Sequence, residues 1–161
     1  MSHATIGEDI TLAKTIDLEI SSGREILCPP IVQDNQIFIL DNASVLKAYD
    51  FETGNKVFEI PLFDKERLDI DASFGGGIAY FEGVLYVATS MNELVAVSVQ
   101  TKSVLWRKPT FGICRGAPVV NKDMVCVTTD NSKTTAYQTK TGQQIWSHEG
   151  LPESASVASG S

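Results

Sequence analysis

Three near-copies of one segment predict an all-β chain, a partial β-propeller of about three four-stranded antiparallel blades with stray strands at both ends. The copies are residues 48–58 (AYDFETGNKVF), 96–106 (AVSVQTKSVLW) and 136–146 (AYQTKTGQQIW), so the unit recurs after 48 residues and again after 40. Self-similarity at such a period marks one supersecondary unit stacked on its neighbours, and the length is that of a four-stranded blade. A second observation extends the repeat upstream. Unit one laid on unit three at an offset of 88 aligns Pro30 with Pro118, Val32 with Val120, Thr53 with Thr141 and Gly54 with Gly142, without a gap. Thirdly, the apolar runs are short, rich in β-branched and aromatic residues and bounded by turn formers, the pattern of strands rather than helices.

The elements follow in the same order within each unit. Runs 37–40 (IFIL), 84–87 (VLYV) and 124–127 (MVCV) are continuously apolar, the first two following Asp34 and Asn35 or Glu82 and Gly83. They are expected as central strands buried on both faces. The third strand alternates, with Leu46 and Ala48, and Leu94 and Ala96, two apart; this predicts one face packed inward and the other polar. The fourth strand carries Phe58, Trp106 or Trp146. Between the third and fourth lie Thr53 and Gly54, or Thr141 and Gly142, where a short hairpin loop needs a residue at positive φ and glycine supplies it without steric cost. The middle unit has Thr101 and Lys102 there, which predicts a slightly strained turn or one of another type. Blades are expected at about 30–63, 76–108 and 117–148 of the single domain 1–161. Residues 12–20 (LAKTIDLEI) are expected as a lone outer strand, and 151–161 as the approach to another blade, Ser- and Ala-rich and disordered from 154 on.

A chain of 161 residues that is 43% hydrophobic and 20% charged can bury a core. Its net charge of −7 would repel a phosphate backbone and no run of Lys or Arg offsets that, so nucleic acid is not expected as a partner. No stretch approaches the roughly 18 apolar residues that cross a bilayer as a helix. The amino terminus (MSHATIGED) has neither a basic nor an apolar leader region, and no secretory signal is expected in the sequence as given. Cys28, Cys114 and Cys126 are odd in number and lack the spacing of a zinc site or a disulfide framework. Cys126, aligned with Phe38 and Leu85, reads as a small core side chain. Cys28 and Cys114 precede the first strands of blades one and three, and a bridge between them stays open.

The recurring pattern Ala-Tyr-Asp-x-x-Thr-Gly-x-x-x-Phe/Trp resembles the PQQ-like repeat of quinoprotein-type propellers. Over about residues 10–161 the order of features is further similar to the amino-terminal part of the BamB family, propeller lipoproteins of the outer-membrane β-barrel assembly machinery. The features are a first strand ahead of a Pro-x-Val blade, an acidic connection at 64–71 before Gly75, Gly76, Gly77 and Ile78, and the run 116–120 (GAPVV). The resemblance implies a non-enzymatic scaffold without cofactor on the periplasmic side of the outer membrane. It implies protein partners, namely the POTRA domains of BamA and nascent outer-membrane proteins, and a role in the assembly and insertion of the latter. It also implies that the aromatic ending each motif docks one blade on the next. The docking residues would be Phe58, Trp106 and Trp146, with Ala48, Ala96 and Ala136 at the motif starts and Gly54 and Gly142 in the turns. A Leu-x-Leu-Arg-Gly-type loop contacts BamA in that family; the corresponding stretch 151–160 (LPESASVASG) has no arginine, and partner-binding residues stay unassigned.

Redox members of the repeat class hold pyrroloquinoline quinone on the axis of a closed ring, with calcium and a vicinal cysteine pair. Neither adjacent cysteines nor a carboxylate cluster for the metal can be located in this sequence, so no catalytic, cofactor-binding or metal residue is assigned. A fragment of a PQQ-dependent quinoprotein dehydrogenase and a ligand-sensing propeller domain are the rival readings. Asp64, Glu66, Asp69 and Asp71 lack the register of a calcium hand and, with Lys65 and Arg67 interspersed, read as a solvated connection. Gly75, Gly76 and Gly77 are unaccompanied by a nucleophile elbow, and the spacing joins neither His3 nor His148 to a serine and an acid. Three blades leave two faces without a neighbour, and contiguous apolar patches are rarely left in water. Self-association through open blade faces is therefore expected.

Overall fold

The computed structural model describes residues 28–41, 43–62, 76–89 and 91–149; the expected strand at 12–20, the acidic connection and the stretch 151–161 lie outside them. Blade one consists of β1 (Ile31–Gln33), β2 (Gln36–Leu40), β3 (Val45–Asp50) and β4 (Lys56–Pro61). Blade two consists of β5 (Gly77–Phe81), β6 (Val84–Ala88), β7 (Glu93–Ser98) and β8 (Ser103–Pro109), and blade three of β9 (Val119–Val120), β10 (Met124–Thr128), β11 (Lys133–Gln138) and β12 (Gln144–Glu149). Each is a four-stranded sheet in chain order, antiparallel throughout. Among the described residues none is helical. The expected fold class, a partial propeller, is the one the chain adopts. Strands β1, β5 and β9 touch from blade to blade, which puts them innermost and leaves β4, β8 and β12 as outer edges.

Blade two is packed on both sides, and successive side chains of a strand point to opposite faces. Leu85, Val87, Val95 and Val97 meet Phe38, Leu40, Leu46 and Ala48 of blade one. Tyr86, Ala88, Leu94 and Ala96 meet Val125, Val127 and Tyr137 of blade three. The third strand is therefore not polar on one face, as its alternation predicts; Leu94, Val95, Ala96 and Val97 are all buried because a blade stands on either side. A register correction applies to Cys126. It faces Ala136 as Phe38 faces Ala48 and Tyr86 faces Ala96, so its counterpart in blade two is Tyr86. The alignment with Leu85 is one residue out, and a one-residue slip moves a side chain to the other face.

All three blades carry the same irregularity. The ladder between third and fourth strands shifts at Ala48/Tyr49, Ala96/Val97 and Ala136/Tyr137, which leaves Val57, Leu105 and Ile145 as the extra residue of a β-bulge. The shift sets Phe58 opposite Ala48, Trp106 opposite Ala96 and Trp146 opposite Ala136. Beyond it the turn is closed in each blade by one 2.8 Å bond, from Gly54, Lys102 or Gly142 N–H to the carbonyl of Asp50, Ser98 or Gln138. Lys102 sits at φ 57 where Gly54 and Gly142 have 75 and 76. The middle turn is thus of the same type with a lysine in the left-handed region, and the strained alternative is the one realised.

Candidate functional site

The most elaborated surroundings in the molecule lie between blades. β8 presents Trp106 over Ala96, whose lone methyl leaves room for an indole. The ring extends to the third-to-fourth-strand turn of blade three, where a Cβ on Gly142 would lie 2.6 Å from Cδ2 and Cε3 of Trp106. Indole Nε1 donates to the carbonyl of Thr139 at 2.9 Å. Tyr86 and Tyr137 flank the ring, at centroid distances of 6.1 and 6.5 Å and tilted by 48° and 32°, an arrangement favoured by the ring quadrupoles. Tyr137 in turn donates its hydroxyl to the Pro109 carbonyl at 3.1 Å. Nearer the axis, Gly76 N–H donates to Cys114 at 2.9 Å, and Gly77 lies so close to Ala117 that a Cβ would stand 2.6 Å from its Cα and N.

The seam between blades one and two uses different groups. Phe58, opposite Ala48, is buried in the cluster shared with blade two, 6.3 Å from the ring of Phe38. Phe38 stacks on Tyr80 at 6.4 Å and 18°, and the Tyr80 hydroxyl donates to the Asp34 carboxylate across the seam. Arg107 Nη1 donates to the Leu62 carbonyl at 3.2 Å and pairs with Glu93 at 3.4 Å. A phenyl ring needs no acceptor, which suits a seam without an indole. Trp146 occupies the same rung of blade three but is only half-buried, edge-on to His148 at 6.5 Å and 78°. Ala48, Ala96 and Ala136 are wholly buried. The structure thus brings Phe58 and Trp106 into shared cores and leaves Trp146 on the blade-three face turned away from blade two.

The three thiols are free and buried. Cys28 belongs to the core between blades one and two and Cys114 to that between two and three, so no bridge joins them. Burial pushes all three up, Cys28 to about 11. Burial foremost, then the charge of Cys114, raises the phenol of Tyr137 to about 12. The Tyr80 phenol is raised chiefly by its hydrogen bond to Asp34. These groups are held in their neutral forms, the opposite of activation for nucleophilic work. A pocket lined by Lys122, Asp123, Gln138, Thr139, Lys140 and Ile145 has its one hydroxyl, on Thr139, bonded to the Lys122 carbonyl. Among the described residues no group of three or more His, Cys, Asp or Glu could hold a metal. A quinone–calcium centre needs such a carboxylate cluster and neighbouring cysteines, and the described residues do not fit it.

The opposite blade end carries a recurring feature of its own. Asp41, Thr89 and Thr129 are buried at equivalent places and turn their side chains into the second-to-third-strand loop. Asp41 Oδ1 accepts from Ala43 and Val45 N–H, and Thr89 Oγ1 from Met91 N–H, while Ser44, Asn92 and Ser132 take φ of 60, 59 and 62. The signal was present at the repeat offsets, as a small polar residue three before a second one.

A family model described as outer membrane protein assembly factor BamB matches residues 42–161. The chain belongs to the BamB family. BamB of Yersinia pestis is 24% identical over 120 residues, covering 73% of this chain and 30% of that protein. The quinohemoprotein alcohol dehydrogenase of Comamonas testosteroni is 27% identical over 164 residues, covering 90% of this chain and 22% of that enzyme. The crystal structure of BamB from Moraxella catarrhalis superposes with a TM-score of 0.65 at 16% identity, over 78% of this chain and 38% of that one. That likeness concerns the fold. The chain spans between 22% and 32% of the length of the curated relatives it matches.

Proposed function

We propose that this BamB-family chain is part of a non-enzymatic scaffold that supports the assembly and insertion of outer-membrane proteins at the periplasmic side of the outer membrane. Its partners in this reading are proteins, the POTRA domains of BamA and nascent outer-membrane proteins. The carrying observation is the match of residues 42–161 to the BamB model. The described side chains support it in kind, being engaged in packing between blades and in turn closure. Phe58, Trp106 and Trp146, seated on Ala48, Ala96 and Ala136, act as blade-docking rings in this reading, with Gly54 and Gly142 in the third-to-fourth-strand turns, of which the Gly142 turn receives Trp106. A pull-down with purified POTRA domains tests the reading, using a full-length BamB protein as positive control. Retention of the chain is expected; a clean negative beside a binding control counts against it.

The relation to a quinohemoprotein alcohol dehydrogenase favours a second reading, a fragment of a quinone-dependent dehydrogenase. Titration with pyrroloquinoline quinone and calcium separates the two. The scaffold reading expects an unchanged quinone spectrum, and a saturable shift of that spectrum would favour the enzyme.

A further inference from the structure

We propose that the outer edge of blade three, strand β12, pairs antiparallel with β12 of a second copy of this chain. An edge strand turns a row of N–H and C=O groups outward and is a template for strand addition unless charge, proline or distortion blunts it. Three blades built on one repeat, each with the same bulge, allow a like-for-like comparison of their edges. β4 carries Lys56 and Glu59 and closes on Pro61. β8 carries Arg107 and Lys108 and closes on Pro109. β12 (QIWSHE) has no lysine, arginine or proline, and its one fixed charge is Glu149 at the very end. None of its residues is buried, whereas Phe58 and Trp106 are buried on the same rung. Ile145 is 44% exposed and adjoins half-buried Trp146, whereas Leu105, 51% exposed at the same position of β8, adjoins buried Trp106, so apolar surface runs on along β12, whose edge shares the bulge of the other two.

The strand is also compatible with itself. Facing residues of an antiparallel pair turn their hydrogen-bonding groups both toward the partner or both away, so a strand meeting its own copy is confined to registers in which one residue faces itself. The two central registers of β12 place Trp146 opposite Trp146 or Ser147 opposite Ser147. Glu149 then faces Gln143 or Ile145, and no like charges oppose each other. β4 and β8 centred on the equivalent rings, Phe58 and Trp106, would oppose no like charges either, so what sets β12 apart is its lack of lysine, arginine and proline. The contact is isologous, the two-fold arrangement commonest among oligomers. It uses an edge and not a blade face, and stands independently of the scaffold reading.

Sedimentation velocity over a concentration series, with hydrogen exchange at its two extremes, tests the pairing. A reversible dimer is expected, with slower amide exchange in β12 at high concentration and unchanged exchange in β4 and β8. Ile145→Lys should weaken the dimer at least about tenfold, while Leu105→Lys, the same bulge position on β8, should leave it intact. A chain that stays monomeric throughout would overturn the proposal. So would a dimer that forms without protecting β12, or one that survives Ile145→Lys with β12 folded as judged by circular dichroism.

Discussion

Trp106 is the side chain on which the seam between blades two and three turns. Its ring replaces the Cβ that Gly142 lacks, and its N–H satisfies the Thr139 carbonyl. Trp106→Phe keeps most of the apolar contact but strands that carbonyl, a cost of about 1–3 kcal/mol; Trp106→Ala should cost about 3–5 kcal/mol. Urea denaturation measures both. The two tryptophans also differ in exposure, Trp106 being buried and Trp146 half-buried. Emission from a Trp106→Phe variant should therefore be red-shifted and readily quenched by acrylamide, and that from Trp146→Phe blue-shifted and protected. Equal quenching of the two would contradict the seating of Trp106. That an aromatic ring stands at this place was legible in the sequence because it recurs at the motif end. Its acceptor was not, since a backbone carbonyl has no signature in the letters around Thr139.

Turns and strands differ in how far the sequence betrays them. The Thr-Gly pairs announce the third-to-fourth-strand turn, and Lys102 at φ 57 pays the steric penalty that glycine avoids. Lys102→Gly should stabilise the chain by about 1 kcal/mol, the cost of holding an L-residue in the left-handed region. Gly142→Ala should destabilise by about 2–3 kcal/mol, because the methyl meets both positive φ and the indole at 2.6 Å. Thermal or urea midpoints of the two variants should move in opposite directions, and a shared direction would refute the account. The bulge was illegible: Val57, Leu105 and Ile145 simply continue an apolar run, and only the ladder reveals that they are skipped. Double burial of the third strand was equally hidden. In blade three its threonines look solvent-facing, yet Thr134 and Thr135 are buried and share hydroxyl contacts with Thr128 at 3.0 Å and Ser147 at 3.1 Å.

Stability of the whole chain should fall in alkali through groups that lie in both seams. Cys28 and Tyr137 are neutral acids whose folded values, about 11 and about 12, exceed the ordinary 9.0 and 10.0. The unfolded chain releases these protons first, so their contribution is intact below pH 9 and is lost progressively as pH climbs toward 12. Denaturant midpoints taken from pH 8 to pH 12 should decline over that window, and Tyr137→Phe should flatten the decline above pH 10. An unchanged slope in that variant would remove Tyr137 from the explanation. At this scale the propeller class was readable from the period alone, because a blade can bury its faces only on copies of itself. How the two seams differ was not readable, since it depends on residues 28 and more positions apart, as Tyr137 and Pro109 are.

That difference bears on how such a chain could be recombined. Trp106 stands against the turn that holds Gly142, while the turn of blade two equivalent to it holds Lys102, on the side where blade one carries Phe58. A gene splice that moved blade three into the slot of blade two would bring Phe58 to a glycine turn and leave a gap the phenyl group cannot fill. The reverse splice would drive an indole against a lysine stem. Although the blades descend from one pattern, their sequence along the chain is fixed by these unlike joints, and duplication of a single blade would need a compensating change in the turn beside it.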